Sequence, residues 1–143
     1  MSVFTMKMIC GSDGTQTLDE IKEFIKQKKV IGIGVPEETR GAGTFQNEMQ
    51  IGDIVVLRQP DALLKVTSSP TPYQGDGNYP AFDWLCVTRQ VEILSWFDED
   101  NEKHNGGIPH FDASGYMATC QRIEAPSPLK TVETWINIIQ RTK

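Results

Sequence analysis

No stretch of the 143-residue sequence stays apolar over the roughly 18 consecutive positions that a membrane-spanning helix needs, and no membrane association is expected. The opening segment, Met1 to Gly14, has neither the charged leader nor the long apolar core of a secretory signal. Cysteine is scarce. Cys10, Cys86 and Cys120 form an odd set without close spacing, which argues against a disulfide framework and for a reducing, cytoplasmic setting. Positive charge is also short: 14 Lys and Arg face 19 Asp and Glu, a formal charge of −5. Such a chain lacks the general electrostatic hold on polyanions that rests on many phosphate contacts. Internal repeats and a GxSxG nucleophile elbow are absent as well.

What remains is ordinary globular material, 38% hydrophobic and 23% charged, long enough for one domain over residues 1–143 with a proper core. Thr17 and Glu20 have capping-box spacing, and Leu18, Ile21, Phe24 and Ile25 recur at helical intervals, which predicts an amphipathic helix over 17–29. Val30 to Val35 reads as a buried strand stopped by Pro36, and residues 36–47 as a loop. Strands are expected over Ile54–Leu57 and Leu63–Thr67, joined by a turn around Pro60-Asp61. Ser68 to Pro80, rich in proline and glycine, is an irregular loop of the length that often serves a function. Trp84 to Leu94 alternates with period two, Arg89 falling in the row of Leu85, Val87, Val91 and Ile93. Residues 98–115 read as an exposed acidic segment, Tyr116–Ile123 as a last strand, and Pro128 as the first position of a terminal helix with Leu129, Val132, Trp135, Ile136 and Ile139 inward. Successive strands without intervening helices argue for an α+β domain whose mostly antiparallel sheet curls into a barrel, with N- and C-terminal helices flanking it.

The chemistry-bearing residues are few. Gly32-x-Gly34 follows a helix instead of opening one and lacks a third glycine, so it does not fit a dinucleotide fingerprint. Glycines inside a strand serve either close packing or the approach of a flat ligand, and the residues alone leave both open. His104, His110 and Asp112 match no compact metal-ligand spacing. The carboxylate pairs at Glu37-Glu38 and Asp98–Asp100 lie in hydrophilic stretches where solvation explains them. Catalytic residues, metals and cofactors are therefore not assigned. Aromatics give the remaining signal: Phe45, Tyr73, Tyr79, Phe82 and Trp84 fall in or beside the two expected loops, where rings either pack or stack on a planar ligand. Lys22, Lys26, Lys28, Lys29 and Arg40 mark the half that a polyanion would approach, unless they are simply solvated surface.

The ordered set of Ile31-Gly-Ile-Gly34, the glycine-containing loop, Phe45-Gln-Asn-Glu-Met-Gln-Ile-Gly-Asp-Ile-Val-Val56, a tyrosine-bearing loop and Arg89-Gln-Val-Glu-Ile-Leu94 resembles the PUA-like superfamily. More narrowly, it is similar to EVE-type domains that accompany modification-dependent restriction enzymes. The resemblance covers about residues 18–96 and implies a distorted barrel that holds one extruded, modified base in an aromatic-lined pocket. Gly32, Gly34, Phe45 and Asn47 match positions near that pocket, and Val35 stands where the family often has an aromatic. Tyr73, Tyr79 and Trp84 join the expected pocket by position and chemistry, with Lys28, Lys29 and Arg40 toward the phosphates. The expected function is recognition of a flipped base in DNA, as the specificity module of a defence system with a nuclease or nucleotide-driven partner. Alternatives are a modified-RNA or small-nucleotide module, a metal-dependent hydrolase using residues 98–112, and a protein-interaction domain.

Overall fold

Strands buried along most of their length build a sheet covered on both faces. The computed structural model describes residues 2–8, 18–58, 60–75, 77–112, 116 and 118–141, which places Cys10 and the Thr17 cap outside the described residues. Its elements are β1 (Val3–Lys7), α1 (Leu18–Lys28), β2 (Val30–Ile33), β3 (Ile54–Arg58), β4 (Ala62–Val66), β5 (Thr71–Pro72), β6 (Val87–Trp96), α2 (Phe97–Lys103), β7 (Cys120–Arg122) and α3 (Pro126–Arg141). The seven strands run in the order β2-β6-β4-β3-β1-β7, with β5 beside the start of β6. Pairing is antiparallel except between β1 and β3. The result is an α+β fold around a curled, open half-barrel. Among the described residues, no helix is long and apolar enough to cross a membrane.

β6 supplies much of the curl, because its first half pairs with β2 and its second half with β4. Leu63 pairs with Ser95 while Leu64 pairs with Ile93, so Leu94 is an extra residue that bends the strand. The bulge also reverses parity: Ile93 and Trp96 join one core, whereas Leu94 joins the other. On the first face, Ile21, Phe24 and Ile25 of α1 meet Phe4, Met6, Val55, Leu57 and Leu64. On the second, Val132, Trp135 and Ile139 of α3 meet Ile54, Val56 and Leu63. All of β3 is buried, as expected of a central strand covered on both sides.

Several expectations need correction. β1 adds a strand to those expected, and its central residues Phe4, Thr5 and Met6 are all fully buried, the Thr5 hydroxyl donating to the Val56 carbonyl (3.0 Å). β6 begins at Val87 and not at Trp84, since a 3₁₀ turn at Pro80–Phe82 continues through the Leu85 N–H bond to Phe82 O (3.1 Å). Residues 98–115 are not an exposed loop throughout: α2 occupies their start, and Ile108 and Phe111 fill the second core. The last strand spans Cys120–Arg122 alone. α3 starts at Pro126, and Pro128 is tolerated there because first-turn N–H groups have no intrahelical acceptor. Short helical turns at Pro36–Glu38 and Thr44–Glu48 replace an irregular 36–47 loop.

That same segment spans the gap between the outermost strands. The Thr119 N–H donates to the Arg40 carbonyl (3.1 Å), and Gly41 lies flat on the backbone of Cys120 with φ +89°. A Cβ at Gly41 would run into the Cys120 carbonyl. Gly52 also has positive φ (+97°) but open space around it. Urea denaturation should therefore show Gly41→Ala to cost about 3 kcal/mol, strain plus overpacking, and Gly52→Ala only about 1 kcal/mol.

Candidate functional site

Arg89 lies in an otherwise apolar row of β6 and is only 2% exposed, so its guanidinium must find partners inside the protein. Nε donates to the Phe45 carbonyl (2.9 Å), Nη1 to that of Ser68 (3.0 Å), and Nη2 to those of Gln46 (3.3 Å) and Met49 (2.8 Å). Its face lies 5.6 Å from the centroid of the Phe45 ring. Burial lowers the pKa of Arg89, yet a guanidinium stays charged in a protein. These bonds use four of the five N–H donors of the side chain, and every acceptor is a backbone carbonyl.

The backbone at 44–48 adapts to this cation. It is wound as a π-helical turn, closed by the Met49 N–H on the Thr44 carbonyl (3.1 Å), a geometry that is rare and often found at functional sites. The turn lets the carbonyls of Phe45, Gln46 and Met49 converge on one group. Asp53 pins the next turn, accepting the Gln50 N–H (2.9 Å) and the Ser2 N–H (2.9 Å). Above Arg89 is a groove of about 310 Å³ lined by Gln46, Asn47, Gln50, Ile51 and Ser69. Ile51 stands 64% exposed at this groove. Side-chain amides both donate and accept, so the rim can match a mixed donor–acceptor edge above a fixed positive floor.

The structure distributes the expected pocket residues over three places. Asn47 is exposed on the groove, while Phe45 is fully buried beneath it and supports Arg89. Gly34 is beside Trp84: a Cβ there would be 3.3 Å from the Trp84 ring, so the protein's own indole covers that glycine. Gly32 is likewise closed in, its Cβ position 2.7 Å from the Val87 carbonyl oxygen. Val35 is 43% exposed, and the indole N–H of Trp84 is buried without an acceptor. Tyr73 and Tyr79 set their edges against Phe24 of α1, at 6.3 and 5.4 Å between centroids. Of the expected phosphate contacts, Lys28 places its ammonium 5.8 Å from the Tyr79 ring centroid, Lys29 donates to the Lys26 carbonyl (3.1 Å), and Arg40 is exposed on the segment that reaches β7.

Arg89 itself was not assigned to the site from sequence. Its signal was available: a charged residue in the inward row of a strand must be neutralised or hydrogen-bonded within.

Groups suited to catalysis are dispersed. His110 pairs with Asp61 (3.0 Å) and meets Phe97 edge-on, whereas His104 ends α2 near Ile138 and Arg141. Burial pushes the Cys120 thiol up to about 12, which keeps it protonated at neutral pH. Among the described residues, no three His, Cys, Asp or Glu side chains are placed to hold a metal ion. The chain matches no protein-family model and no curated protein sequence.

Proposed function

We propose that the chain is a PUA-like, non-catalytic recognition domain that holds one base of a nucleic acid, DNA carrying a modified base, in the groove above Arg89. In this reading it is the specificity module of a cytoplasmic defence assembly, whose nuclease or nucleotide-driven motor is a separate partner. The observation that carries the proposal is the buried guanidinium, fixed by four carbonyls under a rim of side-chain amides. A floor held this rigidly keeps a fixed positive charge beneath the rim without reorganising, and the directional polar contacts to a planar edge come from the amides of Gln46, Asn47 and Gln50. Extruding a base costs a few kcal/mol, offset by hydrogen bonds to its Watson–Crick edge and by contact with apolar side chains such as Ile51. One such pocket does not require a basic protein, which fits the charge of −5. It does imply modest affinity and help from the partner module.

Binding of short labelled oligonucleotides tests this, with modified and unmodified bases in DNA and in RNA. Asn47 and Gln46 border the groove, and Asn47 is exposed, so the double change Gln46→Ala, Asn47→Ala should leave folding intact. Affinity for the preferred modified DNA is expected to fall about tenfold or more, as for loss of a bidentate base contact. Equal binding by the double variant, or no preference for any modified strand, would overturn the reading. A preference for RNA would move the proposal to the RNA arm.

A further inference from the structure

From a second groove, remote in chemistry from the first, we infer a docking site for an arginine-bearing segment of a partner protein. The groove has a volume of about 370 Å³ and lies between the start of α1 and the turn at Tyr79–Phe82. Its floor is apolar, formed by Tyr79, Pro80, Ala81 and Phe82, and its rim carries Asp19, Glu20 and Glu23. The walls are preformed: Phe82 stacks on Phe24 of α1 at 4.3 Å and 15°, and Tyr79 meets the same ring edge-on.

Charge selects the occupant. Asp19, in the first turn of α1, and Glu23, whose carboxylate accepts from the Gln27 amide (3.2 Å), are i,i+4 neighbours of like sign that keep the rim negative. Lys22 and Lys26 of α1 are turned toward α2, where both approach Glu99 and the ring of Trp96. Lys28, at the far end of the helix, reaches the Tyr79 ring, which therefore already accepts a cation on its electron-rich face. An arginine side chain suits this rim, because its apolar stem can lie along Pro80, Ala81 and the edge of Tyr79 while its N–H fork meets the carboxylates. The two grooves share no lining residue.

The test uses the full chain and a capped peptide of alternating arginine and leucine, titrated by calorimetry. A control peptide replaces each arginine with citrulline, which keeps the shape and removes the charge. Saturable binding is expected for the arginine peptide, weakened about tenfold with citrulline and again with the double variant Asp19→Asn, Glu23→Gln. Equal affinity for the citrulline peptide, equal affinity in the double variant, or no saturable binding up to about 1 mM would each overturn the inference. Oligonucleotide binding by the double variant is a separate readout, since neither residue lines the Arg89 groove.

Discussion

Replacing Arg89 by methionine should destabilise the protein by about 3–4 kcal/mol in urea denaturation, more than its place beside a surface groove would suggest. The cost follows from the acceptors left behind. The carbonyls of Phe45, Gln46, Ser68 and Met49 all accept from this side chain; the bonds to Phe45 and Met49 are buried, and a buried carbonyl stripped of its donor costs about 1–3 kcal/mol. The sum is held below the simple total because water entering through the groove can rehydrate some of them. Arg89→Lys should recover only part of the loss, since an ammonium has three donors and no planar fork. The Gln46→Ala, Asn47→Ala variant should by contrast melt like the parent. The pair of results would separate the floor, which builds the groove, from the rim, which makes contacts at it.

Truncation of Trp135 to alanine should be at least as damaging, about 3–5 kcal/mol by the same measurement. Trp135 is fully buried at the centre of the second core, with Phe97 edge-on at 5.7 Å. Its indole N–H donates to Ser95 Oγ (2.9 Å), whose hydroxyl donates to Asp100 Oδ2 (2.6 Å). One side chain thus ties α3 to the bulged end of β6 and to α2. Trp135→Phe should cost less, about 1–2 kcal/mol, because it keeps most of the apolar contact while breaking the indole bond.

These two residues mark how far the sequence could be read. Trp135 belonged to a helical stripe, and its burial followed from spacing alone. Helical spacing also placed α1, and period-two alternation much of β6, while short apolar or β-branched runs bounded by turn residues placed β2, β3 and β4. The π-helical turn at Thr44–Glu48 had no comparable local cause, since its winding is set by a guanidinium 40 or more positions away in sequence. Phe45 was legible as an aromatic near the site but not as its foundation, because burial from a distant strand decides which way a ring turns. The burial of Ile108 and Phe111 was hidden for a related reason: acidic and glycine neighbours read as solvent-facing until α3 covers them. Gly34 gave an ambiguous signal, and in the structure the indole of Trp84 lies against it.

The position of β1 bears on how the protein is made. Its residues leave the ribosome before either of its neighbours, pairing with Ile54–Arg58 on one side and with Cys120–Arg122 on the other. The second partner is translated more than a hundred residues later, so until then one row of β1 backbone groups has no mate in the nascent chain. Contacts so distant in sequence slow folding, and an unpaired strand edge invites association with other chains in the meantime.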